Sequence, residues 1–395
     1  MDNTTKQFLV VSSCTTRGNS GGLTGQLLKH LNLVKSDLFE ISLFDIGFFN
    51  YNRCIDAYDV KNYYGLPKQR FEKIIRRIPK VRGKYAELLV LKTFNSLLRN
   101  KHFDLIIVHE IPSFADRLVT ISHKHGAKVI FYPWGSDILR CSNHIRKRLQ
   151  KAFYYVDFVA GTLNSNCIIS VLNDYGVPKE KLRLKKLTLD GTREIDKVVG
   201  KYSKKEELEM IGIPYADYII VGGYNGSQAQ RHKLIIESVA ENLTVLPSNY
   251  LLVFPITYGC NEAYYQELKE LCEKSGVKAF FIRDYLTNKQ IALLHLVTDL
   301  FIEIQPTDSG NAFLIEALYA NNQIITGKWL KYEQFERLGI PYHLINEPEE
   351  LSLMINRIMT GKEQPIAVPE SLRITYRNPV DSEIITIWHS ILNEL

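Results

Sequence analysis

Long apolar runs are missing from this chain. No segment approaches the roughly 20 consecutive apolar residues that a bilayer-crossing helix needs, so no transmembrane anchor is predicted. The opening Met1-Asp2-Asn3-Thr4-Thr5-Lys6 leads straight into a short strand, and no signal peptide is predicted. Cysteine is sparse: Cys14, Cys54, Cys141, Cys167, Cys260 and Cys272 are scattered and include no C-x-x-C pair. That pattern gives no metal site and suits reduced thiols in the cytoplasm. No G-x-x-x-x-G-K-[ST] occurs, which excludes a P-loop ATPase. Internal repeats and low-complexity tracts are lacking too. What remains is a large globular class: 395 residues with 45% apolar content favour two domains.

Charge is present but unevenly shared. Residues 1–200 carry 32 Lys and Arg against 18 Asp and Glu, whereas residues 201–395 carry 17 against 25. Much of the basic excess is local: Lys68, Arg70, Lys73, Arg76, Arg77, Lys80, Arg82 and Lys84 are interrupted only by Glu72. Such a cluster suits an anionic partner, or else a solvated basic helix. Ile74, Ile75 and Ile78 fall within it at helical spacing, which fits a helix lying on a membrane surface.

Apolar strand-like runs alternate with amphipathic helices along the chain, which predicts parallel sheets. Strands read at Phe8–Ser12, Leu38–Leu43, Leu105–Val108, Val129–Tyr132 and Phe158–Gly161. After a charged stretch at Leu189–Lys204, with Gly191 and Gly200 in it, a second alternation begins at Tyr218–Val221. The expected architecture is α/β, with two doubly wound Rossmann-like domains facing a central cleft. Residues 1–195 form the first domain and 196–372 the second. Residues 373–395 hold a terminal helix returning to the first, after an irregular Pro-containing stretch at Gln364–Pro379.

The densest chemistry lies in Gln305–Ala320. A strand-like run, Asp299–Ile304, meets a polar turn, an apolar helix and a further strand at Gln323–Thr326, a βαβ unit whose ligand side is the strand's carboxyl end. Asp308 sits in the turn and Glu316 one to two turns into the helix. Glu316 has apolar neighbours on every side, so its carboxylate requires a hydrogen-bonding partner, either a structural one such as a Lys or a ligand. Upstream, Val221-Gly222-Gly223-Tyr224-Asn225-Gly226-Ser227 opens a helix through Arg231 and His232. Glycines after a strand bring backbone amides to an anion, and a helix start adds positive potential. The next strand ends Val253–Tyr258 with no acid for a ribose, which excludes a nicotinamide dehydrogenase.

These segments, in this order, resemble GT-B-fold glycosyltransferases of the large retaining group that includes family 4. The family's E-x7-E motif matches Asp308-x7-Glu316, with Asp in the first place. The resemblance implies that Glu316 binds the donor's ribose hydroxyls, that Asp308 lies by the donor sugar, and that the amides of Ser309, Gly310 and Asn311 meet the sugar and diphosphate. It places His109, ending Phe103–His109, beside the donor sugar. Tyr132–Ile138 is similar to the loop written H-G-S-D, with Trp134 where His is usual and Asp137 matching the acid. Gly21 and Gly22 match the glycine pair that opens the first helix near the diphosphate. Gly223, Asn225, Gly226, Arg231 and His232 fall where the donor phosphates bind, although the usual Arg after the strand is replaced by Tyr224 or Asn225. Tyr285, in Arg283–Leu286, falls where the base is read. Plainer readings stay open: His109 as a strand-end histidine, Trp134 as packing, Asp137 as a helix N-cap, Tyr285 as an ordinary connection.

The resemblance implies transfer of a sugar from a nucleotide-diphosphate donor to a hydroxyl acceptor with retention, needing no metal or other cofactor. Arg76, Arg77 and Lys80, with Trp134, fall on the acceptor or membrane side. A fainter similarity in Gly222–His232 and Pro255–Gly259 points to polyprenyl-diphosphate-linked saccharides and cell-surface polysaccharide synthesis. The expected location is cytoplasmic, peripheral on the inner face of the membrane. Two alternatives remain, a sugar-nucleotide epimerase of similar fold and a nonenzymatic polyanion-binding protein. Nucleic acid is not expected as a partner, because the acidic second half repels a polyanion and aromatic residues are thin in the basic cluster.

Overall fold

The computed structural model describes residues 5–13, 23–34, 39–47, 60–67, 77–133, 135–139, 141–161, 166–184, 190–308, 310–337, 339–377 and 381–394. The chain divides into two compact units, Met1–Lys186 with Val380–Leu395, and Leu187–Pro379.

Strands of the first unit are β1 (Lys6–Ser12), β2 (Phe39–Asp45), β3 (Asn62–Tyr64), β4 (Leu105–His109), β5 (Lys128–Tyr132), β6 (Phe158–Gly161) and β7 (Leu182–Leu184). They form a parallel sheet in the order β3-β2-β1-β4-β5-β6-β7. Its helices are α1 (Leu23–Val34), α2 (Pro79–Asn100), α3 (Ala115–Lys124), α4 (Ser136–Leu139), α5 (Asn143–Tyr155) and α6 (Asn166–Asp174). Leu105 to Val108 are all fully buried, because helices cover both faces of a parallel sheet and each side chain meets a core. One face packs Leu9, Val11, Ile106 and Val108 against Phe94, Leu118 and Phe153. The other packs Phe8, Val10, Leu105 and Ile107 against Leu27, Leu28 and Leu31 of α1.

Strands of the second unit are β8 (Tyr218–Gly222), β9 (Tyr250–Pro255), β10 (Ala279–Ile282), β11 (Leu300–Glu303), β12 (Gln323–Gly327) and β13 (His343–Ile345), in the order β10-β9-β8-β11-β12-β13. Its helices are α7 (Asp190–Val198), α8 (Lys204–Met210), α9 (His232–Ala240), α10 (Glu262–Ser275), α11 (Asn288–Val297), α12 (Ala312–Tyr319), α13 (Glu333–Glu336), α14 (Leu351–Met359) and α15 (Glu370–Arg377). The final helix, α16 (Asp381–Leu392), lies beside α1 in the first unit, where Trp388 stacks on Tyr132 at 6.5 Å between centroids.

Helix starts are set by polar caps. Thr287 and Gln290 form a reciprocal capping box on α11, and Asn311 caps α12 by accepting the Leu314 amide at 2.9 Å. Each sheet reverses its strand order once, between β1 and β4 and between β8 and β11, and ligands of such sheets bind beyond the carboxyl ends at that point.

Two doubly wound domains were expected and are present. The short edge strands β3 and β7 were not expected, since three residues carry too little alternation to register. The charged stretch after Leu189 contains α7 rather than a connection: Thr192, Ile195 and Val198 are buried on one side of it and pack the helix into the second unit. The domain limit therefore falls at Lys186, ahead of residue 195, and the final segment begins at Val380 rather than 373. Within the supposedly irregular Gln364–Pro379, α15 buries Leu372 and Tyr376, one helical turn apart. No helix among the described residues is long and apolar enough to cross a membrane.

Candidate functional site

At the carboxyl end of β8 the chain turns through Gly223, whose amide donates to the Ile302 carbonyl at 3.0 Å, so the turn is anchored on the neighbouring strand β11. Asn225 closes the turn by accepting the Ser227 amide at 2.8 Å. Gly226 donates to the Tyr258 carbonyl at 2.7 Å, and a Cβ there would lie 2.3 Å from the Cys260 Cβ, so only glycine fits beneath the loop after β9. Arg231 then opens α9 with φ 58°, a left-handed conformation that non-glycine residues rarely hold. Its guanidinium lies over the Trp329 ring at 5.5 Å, and its Nη1 is enclosed with no hydrogen-bond partner among the described residues.

The neighbouring His232 does not share this placement. Its ring is fully buried, edge-on to Phe254 at 5.2 Å, with Nδ1 3.2 Å from the Tyr264 hydroxyl. Burial pushes its pKa down to about 4. Of the pair expected to supply positive charge, the enclosed imidazole is neutral and the Arg231 guanidinium is the cation.

Beyond β11, Asp308 is nine-tenths buried and uses one oxygen, Oδ2, for its own loop. That oxygen accepts from the Gly310 amide (3.0 Å), the Asn311 amide (3.1 Å), Asn311 Nδ2 (3.0 Å) and the Tyr332 hydroxyl (2.9 Å). Asp308 thus holds the turn that carries the Gly310 and Asn311 amides. A third carboxylate, Glu303 at the end of β11, joins them from within the strand-like run, where nothing in the spacing sets it apart. It is fully buried and accepts from Gln305 Nε2 at 2.5 Å and Asn311 Nδ2 at 3.3 Å. Burial, then the charges of Asp308 and Glu303, push the Tyr224 and Tyr332 hydroxyls well above their ordinary pKa, so both stay protonated.

Glu316, in the second turn of α12, is 8% exposed, and its partner is a histidine rather than a lysine. His295 Nε2, from the last turn of α11, lies 3.2 Å from Glu316 Oε2. The His295 ring packs against Phe313 at 4.2 Å, and Phe313 stacks on Tyr224. Nothing in the sequence links His295 to Glu316, because the two approach only when α11 and α12 pack. Tyr258 and Tyr285, from the loops after β9 and β10, stack nearly parallel at 6.3 Å and are each about half exposed. A cavity of about 580 Å³ opens at the opposite, amino edge of this sheet, beside Tyr218, Asp299 and Asn322.

In the first unit, His109 ends β4 fully buried beside the end of β1. Its Nδ1 is 3.0 Å from the Ser12 hydroxyl, which is 2.7 Å from the Thr24 hydroxyl. Glu110 follows with φ 55° and takes a 2.6 Å hydrogen bond from the Ser13 hydroxyl. Burial raises its pKa, the Asp137 charge adds to that, and the Ser13 bond opposes it. Asp137 is half-buried close by. Its Oδ2 accepts the Ile111 amide at 3.0 Å and its Oδ1 the Gly135 amide at 2.9 Å, so it braces two loops. Arg77 is exposed just ahead of α2, and Lys80 lies in its first turn. Gly21, Gly22, Arg76, Trp134 and Ser309 lie outside the described residues. No group of three or more His, Cys, Asp or Glu among the described residues is placed to hold a metal ion.

No protein-family model matches this sequence, and no curated protein matches it significantly. Solved structures do. The chain is similar to HepE from Anabaena, described in complex with UDP and glucose, at 14% identity, covering 99% of this chain and 100% of that one with a TM-score of 0.67. It is similar to sucrose-phosphate synthase from Thermosynechococcus elongatus at 11% identity, covering 98% of both chains with a TM-score of 0.68. It is also similar to the lipopolysaccharide outer core galactosyltransferase WaaB at 12% identity, covering 99% and 100% with a TM-score of 0.63. With two parallel α/β domains that match these structures over their whole length, the chain has the GT-B fold of two successive Rossmann-like domains.

Proposed function

We propose that this protein is a metal-independent glycosyltransferase that moves a sugar from a nucleoside-diphosphate donor to a hydroxyl of a saccharide acceptor, with retention of configuration. One observation carries the reading: at the carboxyl edge of the second sheet, an enclosed guanidinium nitrogen of Arg231 has no partner among the described residues while a buried carboxylate, Glu316, follows the adjoining strand. A nucleoside diphosphate needs that pair of chemistries, a cation for phosphate and a carboxylate for the ribose diol. The start of α9, which the glycine turn positions, adds positive potential. Tyr258 and Tyr285 offer a flat platform for the base, and Asp308, whose Oδ2 takes the Gly310 and Asn311 amides, pins the turn that faces the sugar.

In the transfer, the bond from the sugar's anomeric carbon to the β-phosphate oxygen breaks, and its electron pair leaves with the diphosphate. The acceptor oxygen bonds to that carbon, and its proton passes to the departing phosphate. Arg231 and the positive start of α9 stabilise the charge that builds there. HepE is described with UDP-glucose, which makes UDP-hexoses the first donors to try.

The acceptor we assign is a lipid-linked saccharide at an anionic membrane, in cell-surface polysaccharide synthesis, with the enzyme peripheral on the inner face. Ile78, Val81 and Leu88 at the start of α2 are 45%, 47% and 62% exposed, and Tyr85 shares their helical face. Exposed Arg77, Arg82 and Lys84 flank that stripe. Incubating the protein, labelled UDP-hexoses and extracted membrane lipid with a chelator tests the reading. Label in a lipid-extractable saccharide is expected; free sugar or a new sugar nucleotide without such a product would point to the epimerase chemistry instead.

A further inference from the structure

Gly191, which sequence reading leaves among the charged residues of a connection, lies against Glu316. A Cβ built on Gly191 would fall 2.0 Å from Glu316 Oε1, 2.2 Å from its Cδ and 2.9 Å from its Cγ. No real side chain tolerates such contacts, and the carboxylate end that a Cβ would meet is buried and tied at its other oxygen to His295, so it has no free swing away. The backbone gives no other reason for glycine here, since Gly191 is not among the residues with positive φ. It sits in the first turn of α7, where glycine disfavours the helix by up to about 1 kcal/mol relative to alanine. What glycine supplies at this position is space.

The carboxylate is therefore held from two sides. Oε2 faces His295 Nε2 at 3.2 Å, and Oε1 rests against the first turn of α7. A helix start carries partial positive charge and amides that no earlier turn satisfies, both of which suit a carboxylate. His295 is itself fixed: Phe313 packs on its ring at 4.2 Å, and Asn322 Nδ2 holds its carbonyl at 2.8 Å. The buried Thr192 and Ile195 seat α7 against α11, the helix that carries His295.

We propose that Gly191 is a positioning residue: its missing side chain is the space in which the Glu316 carboxylate lies between α7 and His295, oriented for the donor's ribose diol. The inference rests on the reading that Glu316 receives that diol. It implies that the first helix after the junction between the two units sets the geometry of the donor site.

A double-mutant cycle with Gly191→Ala and Glu316→Ala tests it, reading UDP affinity by calorimetry and thermal stability in the same samples. With Glu316 present, Gly191→Ala is expected to weaken UDP binding at least tenfold and to lower the melting temperature. In the Glu316→Ala background, where the stem is gone, the same change is expected to alter UDP affinity less than twofold and to leave or raise the melting temperature. If Gly191→Ala alone does not fold, adding Glu316→Ala must restore folding. Normal UDP binding by Gly191→Ala, or equal losses in both backgrounds, would overturn the inference. Unchanged UDP affinity in Glu316→Ala alone would instead overturn the ribose reading, and the melting temperatures would still decide whether Gly191 makes room for the carboxylate.

Discussion

Arg231 holds a backbone angle that costs it energy. At φ 58° it occupies a region that costs a non-glycine residue on the order of 1–3 kcal/mol. Glycine would sit there without strain, so the arginine side chain must be what is needed. Arg231→Gly is expected to keep stability within about 1 kcal/mol of the parent, because relief of the backbone offsets the lost contact with Trp329. The same variant is expected to bind UDP at least tenfold more weakly, read by calorimetry beside chemical denaturation. Unchanged affinity would make Arg231 a structural residue. The sequence placed Arg231 and His232 together, and only packing separates them: one guanidinium nitrogen is left without a partner among the described residues while the imidazole turns into the core. Glu316 was legible as a carboxylate in apolar company that had to be satisfied. Its partner His295 was not, because contacts between helices leave no trace in local spacing.

At the scale of the element, α9 couples the glycine turn after β8 to the core through His232. Its pKa falls from an ordinary 6.5 to about 4, mainly through burial. The unfolded chain therefore binds a proton between those values that the folded chain refuses, and stability is lost as pH falls from 6.5 toward 4. The shift corresponds to about 2–3 kcal/mol over that window. Urea unfolding at pH 7 and pH 4.5 should show the loss in the parent and a smaller one in His232→Gln. An equal pH dependence in the two proteins would place the proton elsewhere. The long parallel strands were readable because helices cover both faces and leave continuous apolar runs such as Leu105–Val108. Helix α7 escaped notice because its exposed side carries Glu194 and Lys197, which mask the buried Thr192, Ile195 and Val198. Helix α15 was hidden by Pro365, Pro369 and Pro379 around it, although Leu372 and Tyr376 keep helical spacing.

For the molecule as a whole, the uneven charge has a definite consequence. The basic excess lies in the sequence of the first unit, and the exposed start of α2 joins cations to an apolar stripe. Each Lys or Arg near an anionic leaflet contributes about 1 kcal/mol, fading over a Debye length of about 8 Å at physiological salt. Sedimentation with phosphatidylglycerol vesicles is expected to carry the protein down at low salt and to release it at high salt. Arg77→Glu, Arg82→Glu and Lys84→Glu together should abolish sedimentation while leaving UDP affinity intact. A parent protein that ignores such vesicles at low salt would show that the cluster is a solvated face and the acceptor soluble.

Everything proposed for the chemistry depends on a nucleoside diphosphate binding where Arg231 and Glu316 lie. Calorimetric titration of UDP, GDP and ADP into the protein in the presence of a chelator, repeated with Glu316→Gln, tests that directly. One nucleotide should bind with a single site, and Glu316→Gln, still folded, should lose about 1.5–3 kcal/mol of the affinity, the worth of a charge-assisted hydrogen bond. Absence of binding by all three nucleotides, or full affinity in Glu316→Gln, would contradict the account.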